Sequence, residues 1–371
     1  MLSKIQGQSD RILLFTVFAL LIFGLIMITS AGVVYSQSRF GDQYYFFKHQ
    51  LLYGILPGLL VCYLFQRIDY HCWKKVSFPL FLMSLVFLIL VFVPGIGSKL
   101  YGASRWIGFG SISFQPSEMA KLAIVIYLAA WLESRGARRV KDFFEGFLPF
   151  IGIMGIVGFL IIKQPDMGTL GVIIITMLIM FFASGSKLIH LFWMAIAGIA
   201  SFFVLVKMEP YRFNRLLIFL NPNLDPRGIG YHINQALLAI GSGGILGLGL
   251  GHSRQKFYYL PEPVGDSIFA ILSEELGLIG GLALIIIFLV FAFRSFKISK
   301  FAPDDFGKLL GIGITSWIIA QAFINIASIS ALIPLTGVPL PFISYGGTSV
   351  VFLLAGVGIL LNISKQSKLN N

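Results

Sequence analysis

The chain has 371 residues, of which 57% are hydrophobic and only 12% are charged. A soluble domain of this size could not hide so many apolar side chains from water, so the composition predicts an integral membrane protein. The net charge of +12 suits anionic lipids or ligands, and it disfavours nucleic acid because the basic residues are scattered between apolar segments. Two cysteines exclude a disulfide framework, and without a Walker motif ATP-driven transport is disfavoured.

Ten apolar segments approach or exceed the length of about 20 residues that a helix needs to cross a bilayer. They cover approximately 12–34, 46–65, 76–93, 117–132, 146–162, 169–183, 188–206, 266–293, 309–329 and 348–363. The sequence therefore predicts an all-α integral membrane protein with ten transmembrane helices in a single polytopic domain over 1–371. Residues 207–265 form a long outer segment between helices 7 and 8.

The basic residues of the short connections predict the orientation of the chain. With a cytoplasmic N-terminus, 16 of them lie on the inner side, including Lys4 and Lys368, and 5 lie on the short outer segments. This bias predicts that both termini are inside the cell and that residues 207–265 face outward.

Two similar motifs begin predicted helices at the outer surface, Gln-Pro-Ser-Glu at 115–118 and Gln-Pro-Asp at 164–166. Proline and an early acidic residue suit any helix start, so Asp166 is either an ordinary first-turn residue or part of a site. Glu118 and Lys121 share one helical face. They can form an ion pair within the membrane, or line a cavity beside the outer loop that contains Arg105.

Asp266 stands where the eighth span is predicted to begin, and it shares a narrow stripe of small residues with Gly277. A carboxylate facing a crevice at the membrane rim can accept a proton from a substrate hydroxyl, particularly if burial raises its pKa. Alternatively, Asp266 caps the helix. Glu274 and Glu275 lie deeper, where they can pair with Lys or Arg of a neighbouring helix.

The long outer segment contains groups that suit a phosphate ligand. Glycines over 241–251 offer backbone amides, and four cationic side chains are available, those of Arg212, Arg215, Arg254 and Lys256. Glycines also serve tight turns and surface arginines bind lipid phosphates nonspecifically, so both interpretations stay open. Residues 233–240 are apolar enough to lie on the membrane surface.

Three prolines at 334, 339 and 341 interrupt an apolar run just before Ser344 and Tyr345. Broken backbone at membrane depth must be buried in protein or line a wet cavity. We therefore expect Ser344 and Tyr345 to lie at a cavity.

Taken in order, these motifs resemble the SEDS family (shape, elongation, division and sporulation), whose members polymerise peptidoglycan. The matching segments are 102–106 (Gly-Ala-Ser-Arg-Trp), 115–121, 164–169, 221–226, 241–244, 260–262, 266–277 and 337–347. Residues 247–256 resemble the cell-division branch more than the elongation branch. The family's essential aspartate corresponds to Asp266, and its outer-cavity ion pair corresponds to Glu118 and Lys121. Val264, Gly265 and Ser267 depart from the residues usual beside that aspartate.

The resemblance implies a peptidoglycan glycosyltransferase that polymerises lipid II, the lipid-linked disaccharide precursor, at the outer face of the bacterial cytoplasmic membrane during cell division. Its implied partners are lipid II, polyprenyl-pyrophosphate-linked glycan, a class B penicillin-binding transpeptidase, divisome regulators and membrane lipids. No nucleic acid is expected.

The predicted mechanism combines the resemblance with the residue chemistry. Asp266 accepts the proton of the acceptor sugar hydroxyl as that oxygen attacks the anomeric carbon of the growing chain. Five cationic side chains stabilise the leaving pyrophosphate, directly or with a divalent cation such as Mg²⁺ or Mn²⁺: Arg105, Lys121, Arg212, Arg215 and Arg254.

Two other classes of function fit ten helices with an intramembrane ion pair. A lipid II flippase or transporter would move the precursor without chain growth, although no inverted repeat is visible in the sequence. A noncatalytic scaffold for division proteins would tolerate substitutions in the outer cavity.

Overall fold

The computed structural model describes residues 7–100, 103–109, 112–222 and 224–367. Gly102, Lys4 and Lys368, used in the predictions above, lie outside the described residues. Helices form most of the described chain, and one small sheet interrupts them.

Four helices form the N-terminal part: α1 (Arg11–Phe40), α2 (Tyr45–Gln50), α3 (Leu56–Phe65) and α4 (His71–Leu90). Asp10 starts the first of them, because its carboxylate accepts the N–H of Leu13 at 2.9 Å. A π-helical turn, Leu51–Ile55, joins α2 to α3 without a break. These helical stretches lie where the first three spans were predicted.

A three-stranded antiparallel sheet follows α4, with strands β1 (Gly97–Leu100), β2 (Ala103–Phe109) and β3 (Ile112–Phe114) in that order. Ser98 lies opposite Trp106, and Ile107 lies opposite Phe114. The side chain of Ile107 is 1% exposed, which anchors the sheet to the helices. The prediction of a purely α-helical chain missed this sheet, because strands of three to seven residues carry too little periodicity to be recognised.

The middle helices are α5 (Pro116–Val140), α6 (Leu148–Lys163, preceded by a π-helical turn Phe143–Phe147), α7 (Met167–Ala183) and α8 (Leu188–Met208). The motifs at 115–118 and 164–166 do begin helices. Pro116 occupies the first turn of α5, and the Asp166 carboxylate accepts the N–H of Thr169 at the start of α7.

The long segment after α8 contains two short helices, α9 (Pro210–Leu220) and α10 (Tyr231–Gly243). Glu209 has extended backbone, which separates α8 from α9. The apolar run at 233–240 lies within α10, so its helical character agrees with the prediction, and its position on the membrane surface stays a prediction.

Three helices complete the described chain: α11 (Ile268–Lys300), α12 (Asp305–Ile329) and α13 (Gly347–Gln366). α11 is broken at Gly277, where φ is 66°. Backbone of the preceding loop bonds across the break, since Leu248 N–H donates to the Glu274 carbonyl and Leu278 N–H donates to the Gly244 carbonyl, each at 2.9 Å. A Cβ at 277 would lie 2.4 Å from the backbone N of Gly247, so only glycine fits this close approach.

Within the described residues, seven helical segments are long and apolar enough to cross a membrane: α1, α4, the segment Phe143–Lys163, α8, α11, α12 and α13. α7 is apolar but shorter, and the remaining two predicted spans correspond to residues 45–65 and to α5. A helical multi-pass protein is therefore confirmed, whereas the count of ten and the orientation stay predictions. In their most apolar windows α12 and α13 are 72% and 78% buried and α8 is 17% buried, so α12 and α13 form the centre of the bundle.

Candidate active site

The predicted catalytic carboxylate lies in a loop and not inside a helix. α11 begins at Ile268, two residues after Asp266, and Ser267 precedes the helix without a side-chain cap. α11 therefore starts two residues after the approximate start predicted for the eighth span, and the interpretation of Asp266 as the helix cap is wrong. The Oδ1 atom of Asp266 is buried and has no hydrogen-bond partner in the described part of the chain.

Hydrogen bonds from two other elements fix the backbone on both sides of this carboxylate. The Ser344 hydroxyl donates to the carbonyl of Gly265 at 2.6 Å, and Tyr345 N–H donates to the carbonyl of Val264 at 2.8 Å. From α12, the Asn325 amide donates to the carbonyl of Asp266 itself at 2.8 Å. Ser344 and Tyr345 therefore contact the loop that carries Asp266, as expected for residues beside a site.

A guanidinium from the long outer segment lies within electrostatic range of Asp266. Arg215 of α9 is anchored through Nη1, which donates to the carbonyl of Leu335 at 2.9 Å. The protein groups around the guanidinium desolvate it and lower the pKa of Arg215, whereas the opposing charges of Asp266 and Asp166 favour its protonated form. α9 thus places a cation where negative charge on a leaving group could be stabilised.

Arg105 and Asp166 belong to the same group of charges. The Arg105 Nε lies 4.0 Å from an oxygen of Asp166 and donates to the carbonyl of Gln164 at 3.1 Å. Its Nη2 also donates to the carbonyl of Pro165. These contacts fasten β2 to the start of α7, and the charge of Arg105 acts on Arg215 as well. The structure therefore brings together four predicted site residues from four distant parts of the chain.

The environment of Asp266 adjusts its acidity. Burial raises the pKa of the Asp266 carboxyl to about 6, against the lowering effect of the Arg215 charge. At neutral pH the group is mostly ionised, yet it is a stronger base than an ordinary aspartate. This combination suits a general base.

A cavity of about 320 Å³ lies between α9, α10 and the loop at 331–335. Arg215 contributes a charged side chain to its lining and His232 a titratable one, and most other lining residues are apolar. The Nε2 of His232 lies 2.7 Å from the Ser267 hydroxyl, next to Asp266 in the chain. Burial lowers the pKa of His232 to about 4, with a contribution from Arg215, so its imidazole is neutral at pH 7.

The predicted ion pair of Glu118 and Lys121 forms, with 2.8 Å between Lys121 Nζ and Glu118 Oε1. Both side chains are almost entirely buried, at 2% exposure each. The same ammonium donates to the Gln321 side-chain oxygen at 2.6 Å and lies 5.4 Å from the centre of the Trp317 ring. The ammonium of Lys121 is therefore surrounded by protein groups.

Lys256, predicted to bind phosphate, is instead buried in an ion pair 3.1 Å from Glu275. Its ammonium also donates to the Gly251 carbonyl at 2.6 Å. The pairing expected for Glu275 is present, but the partner comes from the outer segment and not from a helix. Glu274 accepts hydrogen bonds from the Ser253 hydroxyl and from the backbone N–H of Arg254 at 2.5 and 2.9 Å.

The two other predicted cations occupy different environments. Arg212 is buried at 8% exposure, and its Nη1 donates to the carbonyl of Leu205, which braces the junction of α8 and α9. The Arg254 side chain is exposed on the loop before α11. Arg105 and Arg215 interact electrostatically with one another and with Asp166, and Arg215 also interacts with Asp266.

The predicted divalent cation has no preformed ligand cluster. Across the described residues, no three His, Cys, Asp or Glu side chains are grouped so that they could hold a metal ion. A metal requirement stays a prediction, and the mechanism below uses no metal.

Sequence reasoning missed three residues that contact this site: His232, Gln321 and Asn325. The last two are amides four residues apart in the apolar helix α12, hence on one face. Polar side chains inside a transmembrane helix are costly, so these two amides could have indicated from the sequence that this face of α12 contacts a site.

Comparison with known proteins identifies the family. Residues 11–369 match the model FTSW_RODA_SPOVE, described as cell cycle protein. The chain belongs to this family. Within the FtsW/RodA/SpoVE family, it is 42% identical over 363 residues to Stage V sporulation protein E of Bacillus subtilis (strain 168), covering 98% of this chain and 99% of that one. It is 39% identical over 365 residues to the probable peptidoglycan glycosyltransferase FtsW of Geobacter sp. (strain M18), covering 98% and 99%.

A solved structure agrees with the same family. "Structural coordination of polymerization and crosslinking by a peptidoglycan synthase complex" contains a chain that superposes with a TM-score of 0.78 at 26% identity, covering 97% of this chain and 99% of that chain. The family predicted from the motifs under the name SEDS is therefore confirmed.

Proposed function

We propose that this membrane protein is a peptidoglycan glycosyltransferase that polymerises lipid II into glycan strands at the outer face of the cytoplasmic membrane. One observation carries the proposal: Asp266 has a buried oxygen without a hydrogen-bond partner among the described residues, its backbone is held by hydrogen bonds, and the charge of Arg215 acts on it. Relatives named peptidoglycan glycosyltransferase support the same reaction.

In the proposed reaction, Asp266 Oδ1 takes the proton of the acceptor sugar hydroxyl as the oxygen forms a bond to the anomeric carbon. The bond from that carbon to the pyrophosphate breaks, and its electron pair leaves with the polyprenyl pyrophosphate. Arg215, together with Arg105, stabilises the negative charge that develops on the leaving oxygen. Ser344, Tyr345 and Asn325 fix the backbone of the base in the orientation the transfer needs.

The partner we propose is a class B penicillin-binding transpeptidase, which would cross-link the strands. The support is the structural neighbour described as coordinating polymerization and crosslinking.

We further propose that the protein acts at the division site with divisome regulators, because its relatives include FtsW proteins. The exposed Arg254 is a candidate for binding lipid head groups.

The test is reconstitution of the purified chain with labelled lipid II, with and without the transpeptidase, followed by gel analysis of glycan length. Polymer from the chain, alone or with its partner, is the expected result. Movement of lipid II across vesicles without polymer would favour a flippase. If the folded protein shows neither polymerisation nor lipid II movement, with or without the partner, a scaffold is favoured. Either of these two results would contradict the proposal.

A further inference from the structure

Gln321 joins the buried ion pair of α5 to the loop beside the catalytic base. Its side-chain oxygen accepts from Lys121 Nζ at 2.6 Å, and its amide nitrogen donates to the carbonyl of Pro339 at 3.0 Å. The Trp317 indole N–H donates to the same oxygen at 3.1 Å and fixes the amide in this orientation. Gln321 is 0% exposed, so water cannot replace these bonds.

One turn further along α12, Asn325 holds the same loop to Asp266. Its amide nitrogen donates to the carbonyl of Val338 at 2.7 Å and to the carbonyl of Asp266 at 2.8 Å. Gly337 lies next to the carboxylate of Asp266, since a Cβ at position 337 would be 3.5 Å from one of its oxygens. The backbone at 337–339 therefore contacts both amide side chains and lies next to Asp266.

We infer that Gln321 and Asn325 are positioning residues, and that Lys121, paired with Glu118, acts on the reaction through Gln321 and not by binding substrate. The Lys121 side chain is 2% exposed and its ammonium is already bonded to two side-chain oxygens, which leaves it no open approach for a pyrophosphate. Its charge instead orients the Gln321 oxygen, so that the amide N–H points at Pro339. This inference rests on the proposed function, and it replaces the predicted role of Lys121 as a pyrophosphate ligand.

A double-mutant cycle tests the inference. One arm removes both charges together, Glu118→Gln with Lys121→Met, so that no buried charge is stranded. The second arm is Gln321→Met, and the third protein carries all three changes. Thr315→Val is the matched control, because Thr315 is a buried polar residue of α12 whose hydroxyl, among the described residues, donates only to the carbonyl of Gly311 in its own helix.

Each arm should lower kcat for lipid II polymerisation by about ten- to a hundredfold, the usual effect of losing a buried charge-assisted hydrogen bond, with KM changed less than about twofold. The combined protein should be no more than about threefold slower than the slower arm, since residues that act as one unit are not additive. Thr315→Val should keep wild-type rates.

Two outcomes would overturn the inference: multiplicative losses in the combined protein, or a rise in KM in the Lys121 arm with kcat unchanged. If Gln321→Met does not give monodisperse protein, Gln321→Asn replaces it, because the shorter amide cannot span Lys121 and Pro339. An inactive wild type would instead refute the proposed function itself, so the two failures are distinguishable.

Discussion

At the residue scale, burial and one cation set the acidity of Asp266. Burial raises the pKa of this carboxyl, and Arg215 opposes the rise without cancelling it. The result is a base that is mostly ionised at neutral pH and whose Oδ1 has no hydrogen-bond partner among the described residues. Both properties follow from loops that meet only in the folded chain.

The pH dependence of polymerisation should follow from this pKa. Asp266 can accept a proton only as the carboxylate, so initial rates should be half-maximal near a pH of about 6, the pKa to which burial raises the carboxyl. Below that pH they should fall about tenfold per unit. Initial rates with labelled lipid II between pH 4.5 and 8 measure this fall, the acidic limb of the rate profile. A rate that stays constant down to pH 4.5 would exclude Asp266 as the base.

Substitution of Arg215 by Met should shift the same limb. Removing the guanidinium removes a charge that lowers the pKa of Asp266, so the acidic limb of the rate profile should move to higher pH. The rate at pH 7 should fall in consequence and recover in part at pH 8. Arg227→Met, a change at an exposed arginine of the same outer segment, should leave the profile in place. An unshifted limb in Arg215→Met would mean that the two groups do not interact.

At the element scale, the loop before α11 is docked onto the break of that helix. Main-chain hydrogen bonds cross the break at Gly277, and Glu274 and Glu275 accept bonds from Ser253 and Lys256. These bonds hold the end of the long outer segment against the first turns of α11. They support the position of Asp266 from its C-terminal side.

Loss of the Lys256 ammonium should destabilise this docking strongly. Lys256→Met leaves Glu275 buried and uncompensated, which costs about 3–5 kcal/mol of unfolding free energy. Adding Glu275→Gln should recover most of that loss, because no charge is then stranded. Lys48→Met, which removes an exposed pair with Asp42, should cost less than about 1 kcal/mol. Unfolding in mixed micelles measures all three, and equal stability of Lys256→Met and wild type would contradict a structural role for this ion pair.

Some elements could be predicted from sequence and others could not, for physical reasons. Spans were predictable because crossing a bilayer requires long apolar runs, and the pair of Glu118 and Lys121 was predictable from helical spacing. The burial of Lys256 was not, because its partner Glu275 becomes a neighbour only when the loop folds back onto α11. The contacts of Gln321 and Asn325 likewise depend on where residues 337–339 lie, which no local pattern encodes.

At the scale of the whole molecule, α12 and α13 are the buried centre and α8 is the most exposed of the long apolar helices. Four charged residues lie together at one end of this bundle: Arg105 of β2, Asp166 at the start of α7, Arg215 of α9 and Asp266 of the loop before α11. For lipid II polymerisation outside the cytoplasm, that end must face outward, as the distribution of basic residues predicts.

Labelling of single cysteines tests this orientation. In a Cys62→Ser background, Cys72 should not react with a membrane-impermeant maleimide until the membrane is permeabilised, because the loop at 66–70 is predicted to lie inside. Tyr44→Cys, at a residue that is 52% exposed in the loop before α2, should react from outside when Cys72 is also replaced by serine. The opposite pattern would place the Asp266 end in the cytoplasm and contradict the account.

The most direct test of Asp266 as the general base compares the wild type with Asp266→Asn in the presence of labelled lipid II and the transpeptidase partner. Asparagine keeps the shape of the side chain but cannot accept the proton, so we expect lipid II binding to persist and glycan polymer to disappear, a loss of at least about a hundredfold in rate. Glycan strands of normal length and rate from the folded Asp266→Asn protein would contradict the assignment of Asp266 as the general base.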